Sequence, residues 1–194
     1  FSVMPAPHFS IVTPSYKQLD WLKLCIASVR DQVSADNPGH SACAGLQNVS
    51  VEHIIQDNCT PGIDRLAGEL GAELHLNGRL VSQGRDHGPN IGTARYTLRI
   101  YSEPDQGMYD AVNQGFRRAS GDFLAFLNAD DQYLENSLPD VACFFSNHPR
   151  IDMVFGDALI VGQQGEYLCT RIVSKPTRLV TGLHTLSIFT AATF

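Results

Sequence analysis

Clustered positive charge is missing from this 194-residue chain: 14 Lys and Arg stand against 20 Asp and Glu, a net charge of −6, with no basic run. Phosphate backbones are bound by clustered cations, so nucleic acid is excluded as the main partner. No Cys-x-x-Cys pair occurs among the five cysteines, which argues against a zinc ribbon or a thioredoxin-like motif. Their odd number and irregular spacing read as free thiols in a reducing compartment. No stretch reaches the ~18 consecutive apolar residues of a membrane helix, and residues 1–5 carry neither a basic region nor a long apolar core, so no signal peptide is expected. These absences point to a cytoplasmic chain. The familiar nucleotide and hydrolase signatures are missing too. Thr13-Pro14-Ser15-Tyr16 stands where a GxGxxG would open a dinucleotide site, and neither a P-loop nor a GxSxG elbow occurs. His40, His53, His75, His87, His148 and His184 have no metal-ligand spacing.

What is present is enough apolar residue, 43% against 18% charged, to build a real core. Apolar runs at 9–13, 49–56, 98–101, 122–127 and 153–157 predict strands. Helical periodicity follows at Leu19, Leu22, Ile26 and Val29, at Ile63–Leu70 with Gly71 as its stop, at Met108, Ala111, Val112, Gly115 and Phe116, and over 134–147. Residues 34–48 and 77–97 read as loops, and Gly162-Gln163-Gln164-Gly165, flanked by Val161 and Tyr167, reads as a hairpin turn. The alternation implies an α/β architecture with a largely parallel sheet flanked by helices. The run 122–127, nearly all apolar, is expected to be covered on both faces.

Ligands of open α/β sheets bind beyond the carboxyl ends of the strands. Acidic residues fall at these ends: Asp57 after the second run, Asp105 after the third, Asp130 and Asp131 after the fourth, and Asp157 after the fifth. Any one of them is ordinarily a loop or capping carboxylate. Adjacent Asp130 and Asp131 repel each other unless a cation or donors offset the charge. Hard divalent ions take such oxygen ligands and bridge to phosphates, so a metal-held nucleotide diphosphate is the expected ligand.

Five blocks carry a family resemblance: FSIVTPSY at 9–16, EHIIQD at 52–57, SEPDQGMYDAVNQG at 102–115, GDFLAFLNADD at 121–131 and MVFGD at 153–157. In this order they resemble the family-2 glycosyltransferases of the GT-A fold, in particular bacterial enzymes that build surface polysaccharides. The resemblance implies a Rossmann-like, nucleotide-diphospho-sugar transferase fold over a single domain, 1–194. Residues 9–131 would be its nucleotide-sugar-binding half and 132–194 the start of an acceptor-side half. It implies metal-dependent, inverting transfer of a sugar, from a UDP-sugar above all, to a hydroxyl of a glycan or lipid-linked saccharide, at the cytoplasm or the inner face of the membrane.

By the same resemblance, Thr13, Pro14 and Tyr16 would surround the nucleobase and Asp57 would accept from its ring N–H. Asp105 would sit beside the nucleoside, where Gly107 lets the backbone approach. Asp110 and Asn113 would order the adjoining helix wall or cap it. Asn128-Ala129-Asp130-Asp131 corresponds to the family's DxD-like motif with Asn in the first place; Asp130 would touch the ribose and Asp131 would ligate Mn²⁺ or Mg²⁺. The family's base lies well beyond the metal motif, and no Asp or Glu follows Glu166, so the base is expected beyond Phe194 in a longer protein. Asp157 is the one late carboxylate near the site and is expected to shape the acceptor pocket. Two alternatives stand beside this: a sugar-phosphate nucleotidyltransferase, whose Gly-rich opening loop is missing here, and a non-catalytic nucleotide-sugar-binding module.

Overall fold

The computed structural model describes residues 7–33, 49–84, 95–173 and 193–194. The loop expected at 34–48, the part of the second loop at 85–94, and most of the C-terminal tail lie outside these residues. Within them the order is β1 (His8–Ser15), α1 (Leu19–Arg30), β2 (Ser50–Asp57), α2 (Ile63–Leu70), β3 (Glu73–Leu76), β4 (Arg79–Ser82), β5 (Tyr96–Ser102), α3 (Met108–Phe116), β6 (Phe123–Phe126), α4 (Ser137–Asn147), β7 (Ala158–Val161) and β8 (Tyr167–Arg171). One sheet runs β4-β3-β5-β2-β1-β6; every pair in it is parallel except β3 with β4. The expected class, α/β with a mostly parallel sheet flanked by helices, is the one observed.

The centre of the sheet is β1, β2 and β5, whose residues alternate between two helix layers. Phe9, Ile11, Ile55 and Ile100 join the core with Leu22, Cys25, Ile26 and Val29 of α1. On the opposite face Gly115 of α3 lies so close to Val12 that a Cβ there would overlap the Val12 Cγ1 methyl. Glycine is therefore required for α3 to reach the sheet. Pro14 is tolerated inside β1 because β6 pairs only with Phe9, Ser10, Ile11 and Val12, which leaves Pro14 past the last rung on that side.

Near the amino ends, buried Glu52 ties the layers together. It accepts from Ser10 Oγ (2.5 Å), Ser120 N (2.6 Å), Ser120 Oγ (3.0 Å) and Arg99 Nη1 (2.6 Å). Burial alone would raise its carboxyl, but these donors outweigh it and hold the group below the ordinary 4.5. His53 is fully buried between Thr13 Oγ1 (2.9 Å) and the Tyr96 hydroxyl (3.2 Å), and burial pushes its pKa down to about 3. It is a neutral, satisfied core histidine.

Five expectations are corrected. Residues 153–157 form no strand; Phe155 makes a single bridge to Thr193. The loop expected at 77–97 begins with a tight turn at Asn77 and Gly78 that joins β3 to β4, and β5 starts at Tyr96. Asn-Gly between alternating apolar residues is a strong hairpin signal, since both turn residues take positive φ. Among the described residues β6 lies at the edge of the sheet, and with Leu124 46% exposed it is not covered on both faces. Helix α4 begins at Ser137, three residues later than expected, after Asn136 in a left-handed conformation. Finally, Cys25, Cys59 and Cys169 are free thiols, whereas Cys143 is disulfide-bonded. That removes the argument from cysteine usage for a reducing compartment. Among the described residues no helix is long and apolar enough to cross a membrane.

Candidate active site

The parallel strands deliver Ser15, Asp57 and Ser102 to one end of the sheet in register, Ser15 opposite Asp57 and Asp57 opposite Ser102. Asp57 is fully buried. Its Oδ2 accepts from Thr60 N (2.8 Å) and Ser102 Oγ (2.8 Å), while its Oδ1 is buried without a hydrogen-bond partner. The Ser15 hydroxyl beside it is likewise buried and unpartnered. An unpaired buried acceptor costs free energy unless a donor reaches it. Thr60 joins the two turns above this point, because its Oγ1 also accepts from Lys17 N (2.9 Å).

The residues beside Asp57 divide by face. Thr13 is fully buried and bonded to His53, with Cys25 Sγ at 3.7 Å, so its side chain belongs to the core. Pro14 is buried one residue further on, and Tyr16 lies at the rim, 54% exposed, with Lys17 Nζ 4.8 Å from its ring centre. Tyr16 is thus not a core aromatic.

After β5 the chain enters a tight turn. Asp105 Oδ1 accepts from Asn58 Nδ2 (3.1 Å) and Gly107 N (2.8 Å), tying this turn to the one after β2. Gly107 has φ +113°, a conformation that side chains rarely adopt. Asp110 Oδ2 accepts from Gln106 N (3.0 Å) and Gln114 Nε2 (2.8 Å), and these bonds hold its carboxyl below the ordinary value. Asp110 is thus tied to the turn before α3 and to Gln114 one helical turn on. Asn113 is exposed on the same helix.

Beyond β6, Asn128 Nδ2 donates to Asp131 Oδ2 (2.8 Å), and Asn128 Oδ1 is buried without a partner. Burial raises the Asp131 carboxyl, the Asn128 bond draws it back, and neighbouring Asp130 raises it again. Asp130 is exposed. It lines a cavity of about 490 Å³ together with Asp131, Tyr133, Phe155, Asp157 and Phe194, a volume in the usual range for small-ligand sites. Asp157 therefore reaches the same cavity as the Asp130–Asp131 turn, although no strand carries it there. It is exposed, and its Oδ1 accepts from Val173 N (2.8 Å).

A hard cation fits this donor set. Mg²⁺ and Mn²⁺ commonly take one or two carboxylates and complete their shell with phosphate and water. Asp131 and Asp130 are all-oxygen donors from one turn, open to a cavity. Among the described residues no group of three or more His, Cys, Asp or Glu is arranged to hold a metal ion, so substrate and water would supply the remaining ligands. Sequence reasoning missed the polar residues that brace the acids: Asn58, Thr60, Ser102, Gln106 and Gln114. The β2–β5 register places Ser102 opposite Asp57, but that register is a property of the fold and no motif announces it.

Fold and site together define an α/β domain with an acidic, partly unsatisfied ligand end beside a cavity. Residues 93–171 match the family described as "Glycosyl transferase family 2". The chain is 30% identical over 158 residues to a PGL/p-HBAD biosynthesis glycosyltransferase of Mycobacterium bovis, covering 81% of this chain and 49% of that protein. It is 34% identical over 136 residues to an uncharacterized glycosyltransferase of Mycobacterium tuberculosis, covering 70% and 37%. With an O-antigen biosynthesis protein of Myxococcus xanthus it shares 27% over 160 residues, 82% of this chain and 10% of that one. A solved structure, S. aureus TarS 1–349 in complex with UDP-GlcNAc, has 15% identity and a TM-score of 0.49, covering 80% of this chain and 34% of that one. The chain is thus similar to glycosyltransferase family 2 over most of its length. It spans about half the length of the M. bovis relative.

Proposed function

We propose that these residues form the nucleotide-sugar-binding part of a glycosyltransferase that moves a sugar from a nucleotide-diphospho-sugar to a hydroxyl acceptor in cell-surface glycan synthesis. The observation that carries the proposal is the carboxyl end of the sheet in a chain similar to family 2. There Asp57 holds an unpartnered buried oxygen, while Asp130 and Asp131 share a cavity with Asp157. The names of the relatives, which assign them to PGL/p-HBAD and O-antigen biosynthesis, support a surface glycan or glycolipid as the product.

Each residue then has a task set by its chemistry. Asp57 Oδ1 accepts the ring N–H of a uracil-type base, with Pro14 and Tyr16 at the edge of that pocket. Asp105, held by Asn58 and Gly107, borders the nucleoside. Asp130 meets the ribose. Asp131 and its neighbour would hold Mn²⁺ or Mg²⁺, which when bound stabilises negative charge on the departing diphosphate as a Lewis acid. The acceptor hydroxyl attacks the anomeric carbon from the face opposite the leaving group and inverts it, losing its proton to a carboxylate. Asp157 bounds the acceptor side of the cavity.

Calorimetry of UDP binding with Mn²⁺ and with chelator tests the proposal. Mn²⁺ is expected to tighten UDP binding at least tenfold, and Asp131→Ala to remove that gain while Asp64→Ala, on the exposed face of α2, leaves it intact. Equal UDP affinity with and without metal in the unaltered chain would overturn the metal assignment, and no UDP binding at all would overturn the donor reading.

A further inference from the structure

One polar cluster is not used by the donor site, yet it encircles part of it. On the α3 face of the sheet, the Arg118 guanidinium donates to Gln56 Oε1 and to Glu103 Oε1, and lies 4.2 Å over the Tyr101 ring centre. Gln56, itself fully buried, donates through Nε2 to Glu103 Oε1 (3.2 Å) and Gln114 Oε1 (3.2 Å). Gln114 Nε2 donates to Asp110 Oδ2 (2.8 Å), which also accepts from Gln106 N (3.0 Å). The backbone from Glu103 to Gln106 closes the circuit. Both ends of the turn that carries Asp105 are therefore fastened to one ring of hydrogen bonds.

We propose that Arg118 is a positioning residue that braces this ring at Gln56 and Glu103 and so steadies the Asp105 turn for nucleotide binding. Its hydrogen bonds go to Gln56 and Glu103 rather than to Asp105, so its effect passes through Glu103 and the backbone. The guanidinium is suited to this because its planar fork serves two acceptors at once while its face packs on Tyr101. Removing it strands the buried Gln56 oxygen and takes from the partly exposed Glu103 carboxylate its cationic partner. The fastening of the Glu103 side chain is then left to the longer Gln56 Nε2 bond, and the turn that carries Asp105 is held less firmly.

This inference rests on the donor reading above, and the test separates the two. UDP affinity in Mn²⁺ and thermal midpoint are measured for Arg118→Gln alone and in an Asp105→Ala background. Arg118→Gln is expected to weaken UDP about tenfold when Asp105 is present and less than twofold when it is absent, while lowering the midpoint equally in both. Gln114→Leu breaks the ring at a separate link and is expected to give a threefold to tenfold loss with the same dependence on Asp105. It supplies the readout should Arg118→Gln not fold. An equal UDP loss in both backgrounds, or none in either, overturns the positioning role. If Asp105→Ala leaves UDP affinity unchanged while Asp57→Asn weakens it, the donor reading stands and the ring's role is overturned. If the unaltered chain binds no UDP, both fall.

Discussion

Replacing Asp57 by Asn separates what this residue does for the fold from what it does for a nucleotide. Asp57 Oδ2 accepts from Thr60 N and Ser102 Oγ, both at 2.8 Å, and Oδ1 has no partner. An asparagine oriented with its oxygen toward Thr60 and Ser102 keeps both bonds and places its NH₂ where the unpartnered oxygen was. Each bond changes from charge-assisted to neutral and weakens by about half, on the order of 1 kcal/mol apiece, so the fold loses about 2 kcal/mol. Asp57→Ala, by contrast, strands both donors and costs about 2–6 kcal/mol. The nucleotide feels Asn differently. A donor now faces the N3–H of uracil, and losing a hydrogen bond to a charged acceptor, about 1.5–3 kcal/mol, weakens UDP roughly 10- to 150-fold. Cytosine presents an acceptor at the same ring position, so CDP keeps or gains affinity and the preference for UDP over CDP collapses. Calorimetry with UDP and CDP in Mn²⁺, beside denaturant melts of the same samples, reads both quantities. A folded Asp57→Asn protein whose UDP-to-CDP ratio stays within twofold of the unaltered chain would refute the nucleobase role and leave Asp57 a turn carboxylate.

Stability should fall with acid between pH 6.5 and 5 because of His53. Its folded pKa is about 3, so below 6.5 the unfolded chain takes up a proton that the folded chain does not, and the slope approaches about 1.4 kcal/mol per pH unit. Chemical melts across this window should show the slope, and His53→Gln should flatten it; Glu52, whose carboxyl is held low, contributes only below about 4.5. Gly115→Ala forces a methyl into Val12 and should cost about 1–3 kcal/mol, a penalty that shrinks in a Val12→Ala background if the overlap is its cause. Asp157→Ala should leave UDP and Mn²⁺ binding within twofold while reducing acceptor-dependent turnover at least tenfold; a change in nucleotide affinity instead would move Asp157 to the donor side.

Much of the fold is written in local pattern. The strands at the centre of the sheet and helices α1, α2 and α3 follow from apolar runs and 3.6-residue spacing, because their burial is dictated by which side chains face a layer. The elements misread are those whose fate depends on position in the sheet. Residues 122–127 are apolar enough for a central strand, yet among the described residues β6 lies at an edge and Leu124 is exposed. The run 153–157 is apolar too, but among the described residues it makes one bridge, at Phe155, and no strand. Hydrophobicity says that a segment seeks cover; it does not say which neighbour provides it.

The candidate site divides along a related line. Asp57, Asp105, Asp130 and Asp131 were legible because the carboxyl ends of parallel strands gather in one place whatever the strand order. Asp157 was expected there as a strand end. It arrives by another route, exposed on the segment before β7 and sharing the 490 Å³ cavity with Asp130 and Asp131. The braces were illegible for a plain physical reason. Asn58 grips Asp105 across 47 positions of sequence, Ser102 grips Asp57 across 45, and Arg118 reaches Gln56 across 62. A carboxylate at a strand end advertises itself by its own charge. A neutral amide or hydroxyl that fixes the orientation of that carboxylate acquires its role only when the sheet brings it within hydrogen-bonding distance.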